Sequence, residues 1–505
     1  MKQMITYIFT GNKARKFKLL ACIAIASVIS SCNSFLDTDP YASIPDTKAI
    51  TNYSSAFYAL TGTYNTLQST SYYGRDFIVF GDATTENVII SPNNSNRFIA
   101  EAQWSVTPTT GDMQSFWAKT YEAIYQANKI IEAIDNIEGT DVQKAAIKAQ
   151  ALSIRALGHF DLVRFFAQSY KGNENLMGVP YMKTTNNYDK PSRNSVQEVY
   201  GYVIADLNAA IDNFNIVINS PGSGGDKSGL VGTDLNTTTT APYFISSWAA
   251  KGILARVYMA MQDYPAAIPV LSDIILNSGY TPLTAANYVE AWSRSYNNTK
   301  NVEFIFAIRN LPDDYGATNC LGYIYIQSGY GDLRVPVSMQ ALYSATDIRR
   351  NVLFKAGTGT AGTGWTFVNK YPGRDGVLAL SDIPVLRLSD IYLMYAEAEA
   401  VAGTKAQAIT YLDKIRMRAD ANATATPQAI SPADLLESIS LERRKELAYE
   451  GHYLFDQKRL QLPINSGYRS DNVLYTTIPY PSNKLAMPIP QSEIDANNNM
   501  KQNPY

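Results

Sequence analysis

Aromatic rings set beside amides and guanidinium groups are the most chemically suggestive feature of this 505-residue chain, which holds 35 tyrosines. Three clusters stand out. Tyr72 and Tyr73 run into Gly74, Arg75 and Asp76; Asn93, Asn94, Ser95, Asn96, Arg97 and Phe98 lead towards Trp104; Trp292, Ser293, Arg294, Ser295, Tyr296 and Asn297 form the third. A flat ring stacks on the apolar C–H face of a sugar, while a phenol or indole also offers a hydrogen-bonding tip. Amide and guanidinium groups supply the partners that paired hydroxyls need. These residue types point to carbohydrate binding, with Trp292, Tyr296, Tyr73 and Asn96 as first candidates and Arg97, Arg294, Tyr323 and Trp365 next. Burial competes for every ring, because large aromatics commonly serve the core. Trp104, followed by Thr107-Pro108, and the pair Tyr323 and Tyr325 are open to that use.

Catalytic chemistry is thin by comparison. His159 and His452 are the only histidines, far apart and each within a helical pattern. A histidine-based zinc site or a Ser-His-Asp triad would have to be assembled around one of them. No Walker A run and no Cys-x-x-Cys occurs. Two carboxylates suffice for a glycosidase, yet no Asp or Glu pair is singled out by its context. No cofactor is expected, although Asp- and Asn-bearing loops make calcium conceivable. Binding without turnover is the leading expectation; a protein-interaction scaffold and a carbohydrate-active enzyme are the alternatives.

Cys32 offers a different chemistry, acylation. A basic stretch containing Lys13, Arg15, Lys16 and Lys18 is followed by the apolar run Leu19-Leu20-Ala21-Cys22-Ile23-Ala24-Ile25-Ala26 and then by Ile29-Ser30-Ser31-Cys32. Charge, short apolar core and small residues make a secretory signal over residues 1–31. The core is too short for the ~20 residues that a membrane-spanning helix needs. An apolar branched residue, two small residues and Cys form a bacterial lipobox, so cleavage before Cys32 and lipidation of that residue are expected. Maturation removes five basic residues and no acidic one, moving the formal charge from −2 to −7, with 38 basic against 45 acidic residues. A mildly acidic surface repels phosphate backbones and argues against a nucleic-acid partner. Cys320 is then the one cysteine left unmodified, so stability must come from the core rather than from a disulfide. No later apolar run reaches the ~18 residues of a membrane span.

The elements that must position these residues read as helices. Trp117, Tyr121, Ile124, Ile131 and Ile134 recur at helical spacing between residues 112 and 135; Ile147, Ala151, Ile154, Gly158, Leu162 and Phe165 do so between 146 and 170. Ser195 is a plausible N-cap for a helix whose apolar face carries Val199, Val203, Leu207, Ala210 and Phe214. Two stretches look like copies of one helix–turn–helix unit, one around Leu254, Tyr258, Asp263, Ala267 and Leu271, the other around Leu393, Ala396, Gly403, Ala408 and Leu412. Small residues where helices cross are the physical content of a tetratricopeptide-like pattern. Residues 219–241 and the Gly/Thr-rich 357–364 read as loops. β-prone runs at Phe304-Ile305-Phe306-Ala307-Ile308 and Tyr323-Ile324-Tyr325-Ile326 predict short strands. The expected organisation is a helical part over 32–280, an irregular insertion with short strands over 281–384 and a second helical part over 385–505, with 32–505 forming one unit.

Several runs then carry a family pattern in order along the chain: Arg155-Ala156; Gly178-Val179-Pro180; Pro191-Ser192-Arg193-Asn194-Ser195 with Asp206-Leu207; Asp347-Ile348-Arg349; and Ile383-Pro384-Val385-Leu386-Arg387 running to Ala396-Glu397-Ala398. The most specific is Glu442-Arg443-Arg444-Lys445-Glu446-Leu447-Ala448-Tyr449-Glu450-Gly451, continuing to Asp456, Lys458 and Arg459; Met487-Pro488-Ile489-Pro490, Glu493-Ile494 and Asn503-Pro504 close it. With these residues the chain resembles the SusD/RagB family. The resemblance implies a mostly α, tetratricopeptide-like helical scaffold with irregular loop and short-strand insertions. It implies outer-membrane lipoproteins of Bacteroidota, tethered through a cysteine such as Cys32. Such proteins capture glycans at the cell surface and hand them to a SusC-like TonB-dependent transporter. His452 departs from the pattern, standing where the family often has Arg, and the tether after Cys32 lacks a cluster of adjacent acidic residues. Arg155, Arg387, Glu442, Glu446, Glu450, Asp456 and Arg459 are expected to pair on and between helices rather than to catalyse, as their three- and four-residue spacing supports.

Overall fold

The structure is a computed structural model that describes residues 49–186, 188–220, 242–294, 303–471 and 473–504. Cys32 and Tyr296 lie outside the described residues. Helix α1 (Tyr53–Gln68) starts where the Asn52 side chain accepts the Ser55 amide at 2.9 Å. Helix α2 (Asp76–Ala83) and strand β1 (Ile89–Ile90) lead to two long helices, α3 (Gly111–Ile134) and α4 (Asp141–Phe166). Helix α5 (Val196–Asn219) begins at Ser195, whose hydroxyl accepts the Glu198 amide while Glu198 returns a bond to the Ser195 amide. That reciprocal pair satisfies donors that every helix start leaves open. Helix α4 packs against both α3 and α5. A Cβ at Gly158 would lie 2.9 Å from Ile124 Cγ1, so the small residue lets α4 and α3 approach closely.

The two predicted copies are helical hairpins. Helices α6 (Ser247–Met261) and α7 (Tyr264–Asn277) turn through Gln262 and Asp263. After α8 (Ala285–Ala291) come the strands β2 (Phe304–Ile308), β3 (Leu333–Arg334), β4 (Phe354–Ala356), β5 (Thr366–Val368) and β6 (Ile383–Arg387). Strand β6 runs directly into α9 (Leu388–Ala402), which turns through Gly403 and Thr404 into α10 (Lys405–Ala419) and packs on α7. Helices α11 (Pro432–Glu446), α12 (Tyr453–Arg459) and α13 (Gln491–Ala496) complete the chain. The fold is therefore mostly helical and tetratricopeptide-like, with few short strands. Strands β1, β3, β5 and β4 form one antiparallel sheet in that order, and β2 pairs antiparallel with β6. The Tyr323-to-Ile326 run corrects the strand expectation: residues Leu321–Tyr325 form a short helix. A Cβ at Gly322 would meet the Tyr371 carbonyl at 2.7 Å, and this close approach of two backbones overrides the β propensity of the run.

The charged motif residues form a buried lattice between β6, α9, α10 and α11. Arg387 has no exposed side-chain surface and donates to Glu450 (3.0 and 2.8 Å), Glu303 (2.5 Å) and Glu446 (3.1 Å). Arg349 binds Asp347, Glu442 and Glu446, while Arg418 binds Glu303 and Glu446. Arg443 joins Asp390 to Asp456, and Arg459 joins Glu397 to Asp456. Further off, Arg155 grips Asp206 with two bonds of 2.6 Å. The cations beside Glu446 hold its carboxyl well below the ordinary range against the opposing effect of burial. Buried charges survive only when paired and hydrogen-bonded in this way.

Candidate functional site

Two loops, far apart in sequence, meet at the surface through Asp332. One is residues 91–98; the other leads from the short helix at Leu321–Tyr325 into β3. Asp332 is fully buried, and its carboxylate accepts Ser95 N at 2.9 Å and Ser95 Oγ at 2.7 Å. Its carbonyl accepts Ser91 N at 2.9 Å and Asn94 Nδ2 at 3.3 Å. Within the first loop, Asn94 Oδ1 accepts Arg97 N at 2.8 Å, and Asn96 takes a left-handed backbone with φ 63°. Asn96 is thereby exposed and Arg97 half-exposed at the tip. The Arg97 guanidinium lies 4.0 Å from the centre of the Tyr330 ring and 3.6 Å from the Asp332 carboxylate.

Tyr330 is the ring that gathers the site. It remains 39% exposed, meets Tyr323 edge-on at 5.9 Å, and donates its backbone amide to the Tyr323 carbonyl at 2.7 Å. Hydrogen bonds with Arg97 and Thr318 hold its phenol below the ordinary pKa. Tyr323 packs, with Tyr315, on a small core of Cys320, Ile326 and Ala379. On the other side Gln327 exchanges hydrogen bonds with the Thr358 backbone (2.6 and 2.9 Å), tying in the Gly/Thr-rich loop that carries Trp365. The Trp365 ring is half-buried, 4.6 Å from the Arg334 guanidinium. Exposed tyrosine faces, a stacked guanidinium and a carboxylate together can receive an apolar sugar face and bond its hydroxyls.

Of the residues picked from sequence, Asn96, Arg97 and Tyr323 come together here, with Trp365 on a flanking loop. Tyr73 and Trp292 are corrections. Tyr73 is 2% exposed and donates its hydroxyl to Asp161 at 2.8 Å inside an aromatic core with Tyr72 and Phe77. Trp292 is 3% exposed; its ring lies against the Lys370 ammonium (4.3 Å) and the Arg387 guanidinium (5.3 Å), covering the charge lattice. Arg294 pairs with Glu290 at 2.7 Å on the chain just after α8. Tyr330 and Asp332 were missed, although an aromatic between Gly329 and Gly331 was a legible sign of a ring on an exposed turn. Trp104 is a core residue whose indole donates to the Thr84 carbonyl at 2.8 Å.

Neither histidine is presented to solvent. His159 Nδ1 bonds the Arg155 carbonyl at 2.8 Å, and its Nε2 accepts the Met182 amide at 2.9 Å. Burial lowers its pKa to about 3. His452 is buried beside Arg256 and is likewise held neutral, first by burial and then by that guanidinium. Among the described residues no group of three or more His, Cys, Asp or Glu side chains is placed to hold a metal.

Two family models match the chain: one described as the SusD family over residues 366–505, the other as starch-binding, associating with the outer membrane, over 34–217. The chain belongs to the SusD family. A SusD-like protein of Bacteroides ovatus is 25% identical to it over 523 residues, spanning 91% of this chain and 87% of the relative. The crystal structure of a SusD superfamily protein from Bacteroides thetaiotaomicron is 26% identical, covers 90% of this chain and 100% of that one, and superposes with a TM-score of 0.76. The fold is shared too with surface glycan-binding protein A of Bacteroides thetaiotaomicron, solved in complex with laminarihexaose, at 19% identity, TM-score 0.69 and coverage of 90% and 100%. This SusD-family chain thus sits in a carbohydrate-binding family. Among its described residues no helix is long and apolar enough to cross a membrane.

Proposed function

We propose that this protein captures glycans at the surface formed by Asn96, Arg97, Tyr323 and Tyr330 and passes them, unmodified, to a SusC-like TonB-dependent transporter in the outer membrane. The observation that carries the reading is the half-exposed Tyr330 ring with Arg97 stacked on it, held by loops that Asp332 fixes in advance. A ring kept open to solvent is a platform; a preset frame spares the ordering cost of binding. Family membership supports the ligand class, and so does the laminarihexaose complex of a protein that shares the fold. Lipidation of Cys32 would hold the protein beside the pore, since multiple acyl chains give firm anchoring where one does not. No metal or cofactor takes part in capture. A glycan array identifies the ligand: binding is expected to survive EDTA, to release no shortened product, and to fall sharply in Tyr330→Ala and Arg97→Ala. Unchanged binding in both folded variants refutes the site. Failure of the protein to co-purify with a transporter encoded beside it refutes the delivery step.

A further inference from the structure

A second cleft, remote in sequence from the Tyr330 loops, lies between α3, the 180–191 segment and α13. Its volume is about 430 Å³, within the range of ~300–1,000 Å³ usual for small-molecule sites. One wall is aromatic: Trp117, Tyr121 and Tyr125 project from α3, with the Trp117 and Tyr121 rings 4.9 Å apart. The opposite wall is acidic, with Glu493 of α13 and Asp189. Glu493 takes a hydrogen bond from the Trp117 indole, and its carboxyl is half-buried, which pushes its pKa upward.

The cleft is built rather than incidental. Its 180–184 backbone is fixed by Tyr121 Oη donating to the Pro180 carbonyl (2.8 Å), by Met182 N donating to His159 Nε2 (2.9 Å) and by Asn128 Nδ2 donating to the Met182 carbonyl (3.0 Å). Asn186 Nδ2 and Thr184 Oγ1 hold the Asp189 carboxylate at 2.6 and 3.2 Å. At the mouth stands Tyr188, 92% exposed. A large aromatic left in water beside an aromatic-lined cleft calls for a use.

We propose that this cleft is a second carbohydrate site, taking one or two neutral sugar units with an apolar face on Tyr125 and Tyr188 and hydroxyls bonded by Glu493 and Asp189. Two carboxylates against the single Lys190 disfavour uronates, sulfates and phosphates. The ligand class rests on the glycan-capture reading above, but the residues are wholly different.

The test is calorimetric titration of the protein with neutral disaccharides joined α-1,4, α-1,6, β-1,3 and β-1,4, alongside a uronate-containing disaccharide. Two sites per chain are expected for at least one neutral disaccharide. Tyr125→Ala with Tyr188→Ala should weaken one of them about tenfold or more, the scale of one lost aromatic contact. Glu493→Gln serves as the milder variant should truncation disturb folding, and it should weaken the same site. Tyr330→Ala should remove only the other. A single site, abolished by Tyr330→Ala and untouched by the cleft variants, overturns this inference while leaving the surface site standing. A single site lost only in the cleft variants does the reverse. Preference for the uronate overturns the neutral-sugar assignment, and silence towards every disaccharide overturns both sites.

Discussion

Replacing Asp332 with alanine tests whether the 91–98 loop must be held in place for the surface site to work. The carboxylate takes two hydrogen bonds from Ser95, at 2.9 and 2.7 Å, and faces Arg97 at 3.6 Å. Hydrogen bonds to a charged group contribute about 1.5–3 kcal/mol each, so the Ser95 pair supplies at least ~3 kcal/mol in favour of the observed loop. Opposing it are the left-handed backbones of Asn96 (φ 63°) and Phe98 (φ 59°). That conformation costs a non-glycine residue about 1–2 kcal/mol, so two of them cost about 2–4 kcal/mol. The terms nearly cancel, and removing Asp332 removes most of the bias. Asn94 still brackets Arg97, donating to its carbonyl at 3.1 Å and accepting its amide at 2.8 Å, so the loop is loosened rather than freed. If the competent fraction falls to about a tenth, apparent affinity falls about tenfold. Titration with the glycan identified on the array measures this, and amide exchange over 91–98 reports the loop directly. Asp332→Asn keeps one acceptor and should recover part of the loss. Faster exchange with unchanged affinity would show that Asn96 and Arg97 do not touch the ligand, and would sink the site.

Three further outcomes separate stability from binding. Trp292→Ala should cost about 3–5 kcal/mol in urea unfolding, as for other buried tryptophans, with glycan affinity unaltered in the folded protein; lost affinity with full stability would return Trp292 to the binding surface. Arg387→Met should destabilise by about 3–5 kcal/mol, because Glu303, Glu446 and Glu450 would be left short of a buried cation; a loss under ~1 kcal/mol would contradict the lattice. Burial raises the Asp82 carboxyl from 3.8 to about 7, despite hydrogen bonds from Tyr325 (3.0 Å) and Asn87 (3.3 Å). Its folded pKa exceeds its unfolded one, so its contribution is complete below 3.8 and is lost as pH rises through about 7. Asp82→Asn should therefore gain stability relative to the parent between pH 5 and 8 and not near pH 4; a pH-independent difference between the two proteins would refute this.

The scaffold was legible because its signals are local. Ser195 announces α5 through a cap that needs only Glu198, three residues on, and the stripe from Ile147 to Phe165 declares α4 by its period. The charged run around Glu446 was legible as a structural set for the same reason, although its partners Glu303 and Arg387 lie on distant strands. The site was only half legible. Trp292 and Tyr73 carry the polar neighbours of a sugar platform, yet the groups that claim them come from elsewhere: Lys370 and Arg387 for Trp292, and Asp161 for Tyr73. A ring over a buried cation and a ring over a sugar have the same local composition. What separates Tyr330 from Trp292 is its flanking glycines, which leave a turn too thin to bury the ring.

The shape of the Tyr330 surface bears on what a carrier needs. A ligand enclosed on all sides leaves slowly, because most affinity differences between related sites reside in the off-rate. Tyr330 is open to solvent, Arg97 is half-exposed, and both stand on a surface whose frame is already set by Asp332. Preorganisation removes part of the entropic cost of capture, while openness limits how much contact holds the cargo. The two features together favour rapid binding and ready release over tight retention. A deep pocket on mobile loops would give the opposite balance, and would serve an enzyme that must exclude water better than a protein that must let its ligand go.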